Sequence, residues 1–279
     1  DVNPSRGLGD VYKRQKKKGF AEARIIKVLK QSPLATEARC DHYWICSKLQ
    51  TLSYEKQLKE KEKQVVDAFQ RIGGFTDFTI NGVRSAENKY NYRNKMEFTF
   101  SPHRWILESE PEGVDSSFAL GLHIPGRYDK ILDIDTCHIQ PHIGNKILDI
   151  VREVCLKNLD LKPYDPKTNI GFLRHLMLRF GVKTNQLMVN IVTAYDDINK
   201  LSPLIDTLLK EVPEITSMVN NVNTRKADVA FGEFENLIFG NSFIEEKIGN
   251  LKFEISANSF FQTNTYQGKV LYDEVLKIA

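Results

Sequence analysis

Four stretches of this sequence carry side chains whose types and spacing could do chemistry. The first is Ser256-Ala-Asn-Ser-Phe-Phe-Gln-Thr-Asn-Thr265, where two adjacent aromatics and two side-chain amides separate a strand-like run, 251–255, from a helix-like run, 266–279. A strand-to-helix junction fixes its backbone while its side chains can point into a cleft. By local chemistry alone, Phe260 and Phe261 read as core, Gln262 as a turn residue, and Asn264 as a helix cap with Gln267 as its reciprocal partner. The second is Cys40-Asp-His-Tyr-Trp-Ile-Cys46, two thiols with His42 between them. Thiolates favour zinc or iron–sulfur, but an isolated pair is weak evidence, since free buried cysteines are common and by residues alone that reading prevails. The third is the run 91–100, whose period of two puts Tyr92, Asn94, Met96, Phe98 and Phe100 on one face and Arg93, Lys95, Glu97 and Thr99 on the other. Its Arg/Lys pair suits an ordinary surface strand or a phosphate contact. The fourth is His175, a lone strand histidine, and such residues are usually structural.

These groups need a scaffold, and the sequence outlines one. At 279 residues the chain can hold one large domain or two smaller ones, and 41% hydrophobic with 27% charged residues is an ordinary soluble composition. No apolar run reaches the length of a membrane span and no secretory pattern opens the chain, so the expected location is the cytoplasm, with no membrane partner. A net charge of +3 does not by itself imply nucleic acid, although residues 13–30 carry eight Lys or Arg against the single acid Glu22. Four cysteines in this length do not make a disulfide scaffold. Residues 1–15 lack periodicity and read as a non-native leader, and 23–29 reads as a strand. The run 53–72 reads as a helix capped by Ser53, striped by Leu58, Val65, Phe69 and Ile72, and stopped by Gly73-Gly74. Strand patterns follow at 92–100, 118–124, 172–179, 186–192, 215–223 and 236–239, and Gly126-Arg127 begins a turn leading to Cys137. Helix patterns lie at 141–158, with Ile143, Ile147, Ile150, Val151 and Val154 inward and Cys155 in the core, and at 198–210. This order predicts an α+β fold, a mixed or antiparallel central sheet with helices on one face.

The spelling of several stretches adds to this. Ser256-Ala-Asn-Ser-Phe-Phe-Gln-Thr-Asn-Thr265 resembles the hinge of the RNA 5-methyluridine (uracil-C5) methyltransferases, the family of the 23S rRNA and tRNA enzymes. Tyr92-Arg-Asn-Lys-Met-Glu-Phe98 and Asn220-Asn-Val-Asn-Thr-Arg-Lys226 resemble the central domain that meets RNA in that family. The resemblance runs in family order over about residues 20–279. It implies that Gln262 helps bind S-adenosylmethionine, that Phe260 lies in the pocket for the target base, and that Arg93 and Lys95 face RNA. Cys40, Cys46 and Cys137 match three of four family ligands for a [4Fe–4S] cluster. The remaining cysteine is missing, because Cys46-Ser-Lys-Leu-Gln50 stands where the family reads Cys-Gly-Gly-Cys-Lys-Trp-Gln, and His42 is an unproven substitute. The implied map is a TRAM-barrel remnant over 16–36 and a cysteine region with the central RNA-binding domain over 37–255. In that map the helix 53–72 packs on the catalytic domain, and 256–279 is the hinge with the first helix of a Rossmann-like catalytic domain. The family's reaction adds a cysteine thiolate to uracil C6, methylates C5 and removes the C5 proton with a base. Neither that cysteine nor that base is found here, so the sequence reads as a truncated and by itself inactive fragment of a 23S rRNA-type enzyme, with RNA as partner and no protein partner implied. A tRNA enzyme, a non-catalytic RNA-binding module and a metal-binding structural domain fit the same residues.

Overall fold

The computed structural model describes residues 8–17, 20–226 and 230–279. The chain divides into two compact units, Asp1–Glu87 and Asn88–Ala279.

In the first unit, β1 (Leu8–Lys17) and β2 (Phe20–Lys30) form an antiparallel hairpin with three register shifts. The sequence pattern marked only the middle of β2. β1 crosses the stretch expected to be a leader, whose residues 1–7 lie outside the described residues. Ladder pairing with β2 satisfies its backbone without any side-chain periodicity, so local patterning could not announce it. A one-turn α1 (Tyr43–Cys46) and a 3₁₀ turn (Lys48–Thr51) precede α2 (Tyr54–Asp67). The helix expected to reach Ile72 loosens into a π turn (Ala68–Ile72), closed by Gly73 N–H donating to Ala68 O at 3.0 Å. Gly74 follows at φ +70°, a conformation that only glycine adopts readily. Ser53 occupies the N-cap position but makes no side-chain cap bond.

The second unit is built on a seven-stranded sheet. Its strands are β3 (Lys95–Ser101), β4 (Ala119–Ile124), β5 (Arg127–Asp133), β6 (Leu173–Gly181), β7 (Gln186–Thr193), β8 (Ser217–Val222) and β9 (Phe234–Gly240). The spatial order is β5-β4-β3-β6-β7-β8-β9. Every neighbouring pair is antiparallel except β7–β8, whose crossover is the helix α4 (Ile198–Glu211). The fold is therefore α+β with a mixed sheet. The expected turn at Gly126-Arg127 is there, but the chain then runs on as β5 before reaching Cys137.

Register divides the sheet into two unlike faces. One carries Phe98, Leu176, Leu178, Val189, Ile191 and Met218, all fully buried. The buried stripes of α4 (Leu201, Leu204, Leu208) and of α3 (His142–Lys157) belong to helices that pack on each other. The buried stripe of α3 runs through Gly144, Ile147, Leu148, Val151 and Cys155, which leaves the expected Ile150 and Val154 at its margin. The other face is more polar and receives a hairpin, β10 (Phe243–Ile248) and β11 (Leu251–Ser256), over Met188 and Val219. β10 escaped the sequence pattern because its inward set is Ile244, Glu246 and Ile248, with a carboxylate in an apolar slot. The chain ends its described course in α5 (Thr265–Ile278), where the Asn264 side chain accepts from Gln267 N–H at 3.1 Å, the cap expected from sequence. Among the described residues no helix is long and apolar enough to cross a membrane.

Glu246 is fully buried and hydrogen-bonded throughout. It accepts from the N–H groups of Val182 (2.7 Å), Lys183 (2.9 Å) and Lys247 (2.9 Å), and from the Thr265 hydroxyl (2.9 Å). One carboxylate thus ties the β6–β7 turn, the hairpin and the start of α5. Glu246→Ala leaves these donors unsatisfied in the interior and should lower the free energy of unfolding by about 3 kcal/mol, with a smaller loss for Glu246→Gln. Urea denaturation measures this, and a loss below about 1 kcal/mol would show that water replaces the carboxylate.

Candidate nucleic-acid interface

The segment 256–265 leaves β11 and enters α5 under tight backbone control. Arg179 on β6, 3% exposed, donates from Nε and Nη2 to Ala257 O at 3.1 and 2.9 Å, and from Nη2 also to Ser259 O. Burial pushes its guanidinium down to about 10, which leaves it charged at neutral pH. Asn94 donates from its backbone N–H to Thr263 O and from Nδ2 to Gln262 O and to the Thr265 hydroxyl, each at 2.8 Å. Asn94 O in turn accepts from Phe180 N–H at 2.9 Å. Asn258 Nδ2 donates to Asn221 Oδ1 at 3.0 Å. Both ends of the segment are thus fixed to the sheet.

The two aromatics of this segment part company. Phe261 packs edge-on against Phe253, with centroids 5.6 Å apart, on the cluster of Met188, Val219, Ile244, Ile255 and Ala257. Phe260 is 84% exposed, so the local reading that placed both in the core holds for Phe261 alone. The cause is anchoring: Arg179 holds Ala257, and Ala257 and Phe261 pack on the cluster at the sheet, which turns Phe260 away. Phe260 lines a cleft of about 190 Å³ together with Arg93, Lys95, Glu97, Ser259, Phe261 and Thr263. The structure therefore brings together three residues singled out from sequence, Arg93, Lys95 and Phe260. Gln262 lies beyond, half-buried, its Cβ within 3.3 Å of where a Cβ on Gly268 would stand.

The cleft is rich in cations. Arg93 Nε donates to Lys95 O at 2.9 Å, and Lys95 Nζ lies 3.9 Å from the Glu97 carboxylate. Burial holds the Lys95 ammonium below its usual range; the charges of Arg179 and Arg93 act in the same direction, and Glu97 opposes them. Glu97 thus faces both Lys95 and Arg179, with Arg93 beside Lys95. Sequence reasoning missed two of these groups. The period of two had put Glu97 on this face, but its sign suggested no part in holding phosphate. Arg179 was hidden in an apolar strand, where a single Arg within Leu176-Met-Leu-Arg-Phe180 is the only signal.

The remaining candidates lie elsewhere. His175, 2% exposed, meets the Thr99 hydroxyl through Nδ1 at 3.2 Å, and the same hydroxyl lies 3.2 Å from His123 Nε2. This buries Thr99, which the strand period had placed on the outer face. The cysteines that the family resemblance implied as iron–sulfur ligands are divided between the two units. Among the described residues no group of three or more Cys, His, Asp or Glu side chains is placed to hold a metal ion. In the first unit Cys40 receives Gln50 Nε2 on its sulfur at 3.4 Å, and Cys46 Sγ lies 4.0 Å from His42 O. Cys137, in the second unit and 3% exposed, has its N–H and carbonyl clamped by the Asn145 amide at 2.9 and 3.3 Å. Cys155 is in the core, as expected, and burial pushes its thiol up to about 12.

No protein-family model matches the chain. Among curated proteins it is 42% identical to an uncharacterised RNA methyltransferase of Chlorobaculum tepidum, over 98% of this chain and 57% of that protein. Relatives also named uncharacterised RNA methyltransferases occur in Porphyromonas gingivalis (37% identity, 92% of this chain, 57% of the relative) and Bacillus cereus (36%, 94%, 55%). The chain thus spans little more than half the length of these relatives. Among solved structures it resembles a Pyrococcus abyssi tRNA (uracil-54, C5)-methyltransferase in complex with S-adenosyl-L-homocysteine. That match has a TM-score of 0.65 and 25% identity, and covers 96% of this chain and 56% of that one.

Two outcomes follow from the geometry. Arg179→Ala strands the carbonyls of Ala257 and Ser259 and should destabilise the second unit by about 2–4 kcal/mol, read as a lowered midpoint in urea. In the native protein at pH 8, far below the Cys155 value of about 12, a thiol reagent should modify the exposed Cys46 and spare Cys155 until denaturant is added. Peptide mapping of the label checks this.

Proposed function

Since this chain is homologous, over nearly all its length, to proteins named RNA methyltransferases, we propose that it is the RNA-receiving part of an S-adenosylmethionine-dependent enzyme that methylates C5 of uracil in RNA. The observation that carries this reading is the cleft at the hinge. There an 84%-exposed phenylalanine on a fixed backbone stands beside Arg93 and Lys95. Aromatic faces stack on unpaired bases and cations hold the phosphates that flank them. A uracil must leave its stack before its C5 can be reached, and in this reading Phe260 would receive it. Arg93 and Lys95 would grip the neighbouring backbone, while Arg179 and Asn94 hold the hinge in position without touching RNA.

S-adenosylmethionine would supply an electrophilic methyl group. Of the described residues Gln262 is assigned to it, and its place against Gly268 in the first turn of α5 suits a side chain reaching past the hinge. Uracil C5 is a weak nucleophile, and addition of a thiolate at C6 would activate it. No cysteine lines the cleft. This proposal therefore takes the thiolate from the part of the relatives that this chain does not span.

The choice of RNA rests on two different supports. The cysteine pattern of the sequence implied 23S rRNA. The solved neighbour, whose named substrate is tRNA, supports a tRNA reading. Competition of 23S rRNA fragments and tRNA transcripts for the chain separates the two. The test of the site itself is RNA affinity against salt. Replacing Arg93 and Lys95 with Glu should weaken RNA binding at least about 10-fold and flatten the salt slope by roughly 1–2, because each lost phosphate contact removes about 0.7 from a single-strand slope. Unchanged affinity and slope would remove the cleft from the RNA path.

A further inference from the structure

Phe231 lies close to the cleft, in the segment that leads into β9. It is 50% exposed, yet its flanks are seated firmly. Ala230, 4% exposed, packs with Met177 and Val192 of the polar sheet face. On the other side, a Cβ on Gly232 would lie 2.8 Å from Asn221 Oδ1 and 2.9 Å from Val222 N, so this backbone sits directly on β8. Glu233 N–H then donates to Val222 O at 2.7 Å. The ring is presented to solvent by a chain that is itself fixed. Leaving half of a phenylalanine in water forgoes part of the stabilisation that full burial would yield.

Its neighbour shows what the ring faces. Lys95 Nζ stands 5.9 Å from the Phe231 ring centroid, within cation–π range. Lys95 therefore stands over the Phe231 ring and also lines the cleft that holds Phe260. The other exposed apolar residues of this edge, Phe234, Leu237 and Phe239, lie along β9 itself, and among the described residues no cation stands over the Phe234 or Phe239 ring. A single RNA strand with splayed bases has the complementary sequence of groups, base, phosphate, base.

We propose that Phe231 is a second stacking platform, which takes an unpaired base close in sequence to the one at Phe260 while Lys95 turns from the ring to the phosphate between them. The proposal rests on the RNA reading above and extends it from one base to a short single-stranded run. Recognition is by stacking and charge, so the platform selects unpaired RNA over duplex and is tolerant of base identity.

The test uses the 279-residue chain and two labelled decamers, one of mixed uridine and adenosine, the other of the same length and charge but abasic. Phe231→Leu should weaken binding of the first by about 10-fold, and Phe231→Trp should preserve it. Neither substitution should change binding of the abasic decamer, whereas Arg93→Glu should weaken both. Loss on both decamers with Phe231→Leu would mean that the ring supports the cleft and does not stack, which overturns the proposal. An unchanged affinity with Phe231→Leu, alongside a loss with Arg93→Glu, would overturn the platform and keep the RNA reading; Phe231 would then belong with the β9 edge as a protein-facing surface. If the unsubstituted chain binds neither decamer, both readings fail.

Discussion

The second unit depends on a carboxylate that has left water. An ionised Glu at full burial is tolerable only when its oxygens are met by well-directed donors. Glu246 has four, from the β6–β7 turn, from its own strand and from the first residue of α5. These donors come from parts of the chain that no local rule brings together. The Thr265 hydroxyl that donates to Glu246 accepts from Asn94, whose backbone also holds Thr263. The path of the hinge is thus set by satisfying one buried charge, and the outward ring of Phe260 is a by-product of that path.

The same logic shapes the cleft. Arg179 is buried because two carbonyls of the hinge need its guanidinium, and its charge then weighs on Lys95 across the β3–β6 ladder. Burying cations close together is unfavourable, and Glu97 only partly relieves it. An anionic backbone is the natural complement. The chain as a whole is only mildly basic at +3, so the local arrangement, more than the net charge, makes this a plausible RNA surface.

Where side chains alternate or cap, the sequence was readable. The buried Met96, Phe98 and Phe100 of β3, the helix α4 and the Asn264 cap of α5 all follow from period and local hydrogen bonding, whereas Thr99 does not. β1, β5 and β10 were not visible, because each is held by a partner strand or by a buried carboxylate and not by an apolar pattern. The split between Phe260 and Phe261 also could not be read locally, since it turns on Arg179, far away in sequence. The family-like spelling located Arg93, Lys95 and Phe260 as candidates, and the fold gathered them into one cleft.

The bond from Asn94 to Thr265 closes a loop across 171 positions of chain. Contacts of such separation lose most chain entropy when they form early. Closing that loop costs less chain entropy once the sheet between Asn94 and Thr265 has formed. A ribosome emitting this chain from its N-terminus would release β3 long before the residues that complete its surroundings, and Asn94 would stay hydrated until α5 emerged.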